Sequence, residues 1–347
     1  MKKKSLILVL VCMLITALCA CGGGSGDGGS ADGEKVVWKY AHTGRNGDEL
    51  DQYANAFKKY VEEEFDNVTV ELYGADQLGN ENQRMEQVQG GSCEFAQVYS
   101  LALATIVPEA QAFTINYALP TDPEALAKVF REGEAVKYIN DKVEEKGMKV
   151  LDWYAEDFSC YTSNKDISSL DKFKGQNIRC MDNFVDIANV NATGANATTL
   201  DYSEVYSGLQ LGTVDGQQNP IAIIESNKFY EVQKYLVLSN HECVQDVVIT
   251  NTEFYNSLSA EDQEKLARVF EKVSDNAAKV KAETTANALQ RIKDSSDIKI
   301  IELTDEERAA WASKISDGPR NAFIKQIGDS AKKVLELLDK DIAAAGK

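Results

Sequence analysis

The feature that most constrains the fold is a long segment without a helix breaker, because no Gly or Pro occurs between Ser259 and Asp317. Ser259 can act as the N-cap, with Asp262 at the third helical position. Apolar and small residues recur on one face at helical spacing: Leu266, Phe270, Val273, Ala277, Val280, Thr284, Ala288 and Ile292. A helix over residues 259–297 would be more than about 50 Å long, which is more than the width of one domain. The pattern therefore predicts a helix that supports two domains at once.

The first half of the chain alternates between strand and helix patterns. Residues 36–42 and 68–74 alternate as strands do, and the segment between them has apolar residues at helical spacing. Helix patterns at 80–91 and 122–147 each precede a strand pattern, at 93–99 and 148–155. Strand–helix–strand units usually form parallel pairs with a right-handed crossover. The alternation predicts an α/β architecture.

The first residues predict export and a membrane anchor. Basic residues 2–4 and the apolar residues that follow form a signal segment, which we place at 1–20. The sequence LCAC at 18–21 resembles the lipobox of bacterial lipoproteins, which implies that Cys21 is acylated. A Gly/Ser-rich tether follows at 21–34. The prediction is an extracytoplasmic protein, lipid-anchored to the cell membrane. The alternative is an ordinary signal peptide with a chance cysteine.

Charge and cysteine spacing exclude several functions. The net charge of −18 argues against nucleic-acid binding, which requires clustered Lys and Arg. Beyond the lipobox, the cysteines are Cys93, Cys160, Cys180 and Cys243, widely spaced and accompanied by only two histidines, so no metal site and no cofactor is predicted. Buried thiols are expected, and a Cys160–Cys180 disulfide is left open.

Several motifs resemble one protein family. They are GADQLGNENQRMEQVQGG (74–91), GMKVLDWY (147–154), FKGQNIR (173–179), SEVYSGLQLGTVDGQQNP (203–220), KFYEVQKYL (228–236) and VITNTEFYNSLSAEDQEKL (248–266). In order and spacing they are similar to the DctP-type substrate-binding proteins of tripartite ATP-independent periplasmic (TRAP) transporters, over roughly residues 36–310. The resemblance implies a two-domain periplasmic-binding-protein-like (flytrap) fold, joined by crossing strands and a long helix. Its boundaries would be 35–157 plus 245–284 for domain I, and 158–244 plus 285–347 for domain II.

The resemblance also implies ligand contacts. By the family pattern, Arg179 pairs with a ligand carboxylate, Asn219 contacts the same group, and Tyr202 packs against the ligand. A buried guanidinium needs an anionic partner, and the alternative is an internal salt bridge to Asp182 or Asp186. Asn219 could instead be a turn residue, and Tyr202 a core residue.

Further ligand contacts are implied at His42, Glu81 and Tyr99, with a satisfied loop histidine as the alternative for His42. The chain has Ser159 where many relatives have a second basic residue. Ser159 could donate a hydrogen bond there, or Arg45 could approach from the other domain.

The predicted function is therefore capture of an organic acid and its delivery to TRAP membrane permease subunits. The first candidate ligand is a C4-dicarboxylate. Alternatives are a sugar acid in the same family, or a sensory module that serves a receptor kinase. The chain lacks the G-x-S-x-G, H-E-x-x-H and P-loop motifs, so no enzyme is predicted. A monomer is expected.

Overall fold

The computed structural model describes residues 35–346 as alternating strands and helices. The strands are β1 (Val36–Ala41), β2 (Val68–Tyr73), β3 (Phe95–Tyr99), β4 (Met148–Phe158), β5 (Cys160–Ser163), β6 (Asn177–Cys180), β7 (Asn196–Thr199), β8 (Gly216–Asn219), β9 (Tyr235–Leu238), β10 (Cys243–Asn251) and β11 (Lys299–Glu302). The helices are α1 (Glu49–Glu64), α2 (Glu81–Gln89), α3 (Ser100–Leu103), α4 (Pro123–Glu132), α5 (Glu134–Glu144), α6 (Phe184–Ala192), α7 (Val205–Leu211), α8 (Ile221–Ser226), α9 (Thr252–Ser257), α10 (Ala260–Ser295), α11 (Asp305–Ile315), α12 (Asp317–Ile327) and α13 (Asp329–Ala345).

The strands form two sheets. The first has the order β2-β1-β3-β10-β4, and the second has the order β11-β9-β5-β8-β6-β7. In the first sheet β1 runs parallel to β2 and β3, whereas β10 runs antiparallel to β3 and β4. The predicted α/β class is confirmed.

Two of the crossings between the sheets lie at adjacent points. The chain leaves the first sheet at Ser159, between β4 and β5, and returns at Glu242, immediately before β10. The two crossings are hydrogen-bonded, because Ser159 N–H donates to the Glu242 carbonyl oxygen at 2.7 Å and His241 N–H donates to the Ser159 carbonyl oxygen at 3.3 Å. Side chains of both crossings therefore lie where the two sheets meet.

The predicted long helix is confirmed as α10, which has 36 residues and begins after the Ser259 N-cap. Leu266 and Phe270 belong to the apolar cluster that covers one face of the first sheet. Ala288 and Ile292 belong to a cluster of the second sheet. One helix thus packs against both sheets.

The C-terminal helix α13 packs against α4 and α5, which cover the other face of the first sheet. Its buried residues Leu335 and Leu338 share a core cluster with Ile139 of α5. The domain boundaries stay a prediction, in which residues 285–347 belong to domain II.

Cys93, Cys160, Cys180 and Cys243 are free and buried. The expected buried thiols are thus present, and the disulfide that the sequence left open is not formed. Across residues 35–346, no helix combines the length and apolarity that a membrane span requires. Cys21 and the tether lie outside the described residues.

Candidate ligand-binding site

Arg179 lies in β6 with only 4% of its surface exposed. Its Nε–H donates to the Leu200 carbonyl oxygen at 3.0 Å. Within residues 35–346, its two Nη groups donate no hydrogen bond, and no carboxylate lies within 4.0 Å of the guanidinium. Burial lowers the pKa of Arg179, and the nearby charge of Asp186 opposes that shift. A buried guanidinium is therefore left with its strongest donors unused.

The alternative partner Asp186 is committed elsewhere. Asn183 caps α6 and so places Asp186 in the first helical turn. Its Oδ2 accepts from Met181 N–H at 2.7 Å, and its Oδ1 accepts from Gln218 Nε2 at 2.5 Å. The internal salt bridge considered from the sequence is not formed by Asp186 or by Asp182.

Gln218 of β8 joins two buried carboxyl groups. Its Nε2 donates to Asp186 and, at 3.2 Å, to Glu242 Oε2. Its Oε1 accepts from Nε2 of His241 at 2.8 Å, while Nδ1 of His241 accepts from the Ser239 hydroxyl at 2.8 Å. Burial lowers the pKa of His241 to about 3, so the ring is neutral and its tautomer is fixed. Burial also raises the pKa of Asp186, to about 6, and that of Glu242.

Asn219 is adjacent to Gln218 in β8, and Tyr202 follows β7. Tyr202 is 45% exposed and accepts a hydrogen bond from Asn227 Nδ2 at 2.7 Å, so it is not a core residue. Desolvation of its hydroxyl raises the pKa of Tyr202 to about 12; Glu156 adds to the shift, and Arg45 and Arg179 oppose it. Asn219 ends β8, where its Nδ2 donates to Gln217 Oε1 at 2.5 Å.

Tyr99 links the first sheet to the crossings. It ends β3, and its hydroxyl donates to Glu242 Oε1 at 3.2 Å. Its backbone N–H donates to Glu81 Oε1 at 2.9 Å. The capping box of Asn80 with Gln83 fixes the start of α2 and so positions Glu81. Burial raises the pKa of Glu81 to about 7.

His42 follows β1 and is fully buried. Neither ring nitrogen has a hydrogen-bond partner within the described chain, and the nearest carboxylate oxygen, Asp51 Oδ1, lies 3.9 Å from Nε2. Burial lowers the pKa of His42, although Asp51 opposes the shift. His42 is therefore not a satisfied loop histidine.

A group of carboxyl side chains, which we call the carboxyl cluster, comprises Glu49, Glu156 and Asp246. Glu156 on β4 and Asp246 on β10 are 7% and 2% exposed, and they lie on paired strands. Glu49 accepts from the Tyr154 hydroxyl. Burial, together with neighbouring carboxylates, raises the pKa of Glu49 to about 7, that of Asp246 to about 6, and that of Glu156 well above its ordinary value.

A sequence model described as "Bacterial extracellular solute-binding protein, family 7" (DctP) matches residues 40–326. The chain belongs to this family. The ectoine-binding periplasmic protein TeaA of Halomonas elongata is 33% identical over 309 residues, which cover 88% of this chain and 90% of TeaA. The C4-dicarboxylate-binding periplasmic protein DctP of Rhodobacter capsulatus is 33% identical, over 80% of this chain and 84% of that protein.

The fold is also that of the family. A TRAP periplasmic solute-binding protein from Desulfovibrio salexigens, crystallised with orotic acid, matches with a TM-score of 0.83 and 29% identity, over 90% of this chain and 100% of that chain. The predicted membership and fold are both confirmed. Proteins of family 7 bind small molecules outside the cytoplasm and work with TRAP membrane components.

In this family 7 protein, the structure brings some predicted residues together and leaves others apart. Ser159 is buried at the crossing, and its backbone N–H donates to the Glu242 carbonyl oxygen. The Glu242 side chain accepts from Gln218, and this hydrogen-bond network extends to residues near Arg179. Tyr99 reaches the same network through Glu242, and Glu81 joins it through Tyr99. No hydrogen bond within residues 35–346 joins His42 to the other predicted residues.

The sequence interpretation considered Asp186 only as a salt-bridge partner of Arg179, and it missed Glu156, Gln218, Glu242 and Asp246. The signal for Gln218 was its position beside Asn219 in the GQQNP motif. The signal for Glu156 was its position directly after the strand pattern at 148–155, and that for Asp246 was its position just before the motif at 248–266. Among residues 35–346, no His, Cys, Asp or Glu groups converge in a metal-binding arrangement.

Proposed function

We propose that this protein captures a solute bearing a carboxylate, binds that carboxylate at Arg179, and delivers the solute to the membrane subunits of a TRAP transporter. The observation that carries the proposal is the buried guanidinium of Arg179 without an anionic partner in the described chain. Burying an unpaired charge is unfavourable by several kcal/mol. A ligand carboxylate removes that penalty, because the planar fork of Arg can bind both of its oxygens.

The ligands named for the relatives support this class. Ectoine, C4-dicarboxylates and orotic acid differ in shape and size, yet each carries a carboxylate group. A common residue that binds the carboxylate, with different residues around it in each protein, is consistent with ligands of different shape and size. The C4-dicarboxylate predicted from the sequence is one member of the class.

Contacts from both sheets support capture between them. Arg179, Tyr202 and Asn219 belong to the second-sheet side, whereas Tyr99, Glu81 and Arg45 belong to the first-sheet side. Arg45 is the candidate for the second basic contact that Ser159 does not supply, since its charge acts on Tyr202. We also propose that Cys21 anchors the protein to the membrane, with residues 21–34 as the tether.

A thermal-shift screen tests the ligand class, because a ligand that binds only the folded state stabilises it in proportion to RT ln(1 + [L]/Kd). The panel contains succinate, malate, galactonate, orotate, ectoine and the L-amino acids, with uncharged sugars and simple amines as controls. We expect every stabilising compound to carry a carboxylate. Stabilisation by compounds without a carboxylate, and by none with one, would refute the proposal.

A further inference from the structure

The hydroxyl oxygen of Tyr202 is a hydrogen-bond acceptor in the described chain. Nδ2 of Asn227 donates to this oxygen at 2.7 Å and to the Ile223 carbonyl oxygen at 3.1 Å. A carbonyl oxygen can only accept, so the Asn227 atom that contacts Ile223 is the amide nitrogen. The same nitrogen contacts Tyr202, and the O–H proton of Tyr202 is therefore directed away from Asn227. This proton has no acceptor within residues 35–346.

The hydrogen bond between Tyr202 and Asn227 spans the end of the strand that carries Arg179. In the second sheet, β6 lies between β8 and β7 and runs parallel to both. Tyr202 follows β7, and Asn227 follows α8, the helix that comes directly after β8. The two residues thus lie on the connections that leave the sheet on either side of β6. Ligands of open α/β sheets bind outside this edge, at the carboxyl ends of the strands.

Main-chain contacts place Tyr202 close to Arg179. The Arg179 Nε–H donates to the Leu200 carbonyl oxygen at 3.0 Å, and the Leu200 N–H donates to the Cys180 carbonyl oxygen at 3.4 Å. Leu200 is two residues before Tyr202, so their Cα atoms are within about 7.6 Å of each other. The Tyr202 ring is 45% exposed, and one side of it packs against Phe229. The free proton of Tyr202 and the unused Nη groups of Arg179 therefore lie at the same edge of the sheet.

We propose that the Tyr202 hydroxyl donates a hydrogen bond to the carboxylate that Arg179 binds, and that Asn227 is a positioning residue that keeps this proton directed at the ligand. The inference rests on the proposed function and deepens it, because the sequence predicted only that the Tyr202 ring packs against the ligand. A carboxylate has about four lone-pair sites, so it can accept from Tyr202 while Arg179 binds both of its oxygens. Asn227 acts through Tyr202.

Two substitutions test the donor and its positioning separately. Tyr202→Phe removes the hydroxyl group and keeps the ring. Asn227→Asp keeps the shape of the side chain, but its carboxylate can only accept, so it takes the Tyr202 proton away from the ligand. The double variant Tyr202→Phe/Asn227→Asp measures any direct effect of the added charge, because no phenolic proton is then left to take.

The carboxylates of the thermal-shift panel are titrated by calorimetry into the wild type and each variant. Tyr206→Phe is the matched control, because Tyr206 lies on the neighbouring helix α7 and its hydroxyl donates to Glu231 Oε2 at 3.4 Å. The melting temperature of each ligand-free variant shows whether that variant is folded.

We expect Tyr202→Phe to weaken binding by about tenfold or more, as for the loss of a hydrogen bond to a charged group. Tyr206→Phe should leave the Kd unchanged. Asn227→Asp should weaken binding by a factor similar to that of Tyr202→Phe. When it is added to Tyr202→Phe, its factor should be at least about threefold smaller, because the two changes remove the same hydrogen bond.

An equal effect of Asn227→Asp in both backgrounds would mean that its charge acts on the ligand directly, and the positioning role would be wrong. If Tyr202→Phe binds the ligand as the wild type does while Arg179→Ala weakens binding, the donor role is wrong and the proposed function stands. If no carboxylate of the panel binds the wild type, both are wrong.

Discussion

The Arg179 Nε–H donates to the main-chain carbonyl oxygen of Leu200 at 3.0 Å, and this bond orients the guanidinium without neutralising it. Arg179→Ala should therefore weaken ligand binding by roughly thirtyfold to several-thousandfold, the range for truncating one partner of a buried charge pair. Arg179→Lys should restore part of the affinity, because it keeps the charge and loses the fork. Titration calorimetry with a confirmed ligand measures both effects.

The melting temperature of the ligand-free variant tests whether Arg179 stabilises the fold. Arg179→Ala should leave it unchanged or raise it, since an uncompensated charge is removed. Arg291→Ala is the matched control, because Arg291 forms an exposed pair with Glu225 at 2.9 Å and should leave the Kd unchanged. A marked loss of stability with an unchanged Kd would mean that Arg179 serves the fold alone.

Acylation at Cys21 should place the mature protein in the detergent phase of a Triton X-114 extraction. Cys21→Ser should move it to the aqueous phase, because one diacylated cysteine is the only anchor that the proposal contains. Cys12→Ser is the control, since Cys12 lies within the signal segment, and this variant should stay in the detergent phase. Wild-type protein in the aqueous phase would contradict the anchor.

The stability of the ligand-free protein should fall as the pH rises from 6.5 to 8. Burial raises the pKa of Glu49 and Glu81 to about 7 and raises those of Glu156 and Glu242 well above their ordinary values. The folded state therefore holds protons that the unfolded state has already lost, and the free energy of unfolding decreases with pH. Burial lowers the pKa of both histidines, so the unfolded chain binds more protons at these two groups, and their contribution offsets part of the decrease near pH 6.5.

We expect a decrease of about 2 kcal/mol or more between these pH values, measured by urea unfolding. Glu156→Gln should reduce the slope, while Glu264→Gln, at an exposed position on α10, should leave it unchanged. Stability that is constant or increases with pH would show that the buried carboxyl groups are ionised in the folded state.

Removing the amide of Gln218 should destabilise the protein. Gln218→Leu leaves Asp186 and Glu242 without their common donor and His241 without its acceptor. Because buried groups left unsatisfied lose about 1–3 kcal/mol each, we expect a loss of about 2–4 kcal/mol in chemical denaturation. Gln290→Leu, at an exposed site on α10, should change stability by less than about 0.5 kcal/mol.

Ligand binding should bring the two sheets closer together. We expect the hinge near residues 155–158 and 243–246, which flank the points where the chain crosses, because each side supplies contacts that only a closed form completes. Small-angle scattering at saturating ligand should show a smaller radius of gyration than the free protein. The Arg179→Ala variant at the same ligand concentration is the control, and an unchanged radius for the wild type would contradict closure.

The sequence predicted the features that depend on local patterns. The apolar face of α10 could be predicted because its residues recur at helical spacing. The need for an anionic partner at Arg179 could be predicted because a charged residue lies inside an apolar strand. The carboxyl cluster could not be found in this way. Glu156 and Asp246 meet because β4 pairs with β10, and that register connects positions far apart in the chain.

The sequence also did not predict how α13 and His42 pack in the folded protein. Nothing local in the sequence indicates that Leu335 of α13 packs with the helices over the first sheet. His42 looked like a candidate contact or a loop residue, whereas it is buried without a hydrogen-bond partner in the described chain. Such outcomes depend on tertiary packing, which overrides local pattern.

The packing of α13 has a consequence for the order of folding. The core cluster on the α13 side of the first sheet contains Ala41 near one end of the described chain and Leu338 near the other. Its contacts close loops of almost the full chain length, which makes their formation slow relative to local structure. A nascent chain cannot complete this core until its last helix has emerged. The core on this side of the first sheet is therefore the part of the molecule that depends most on the whole chain being present.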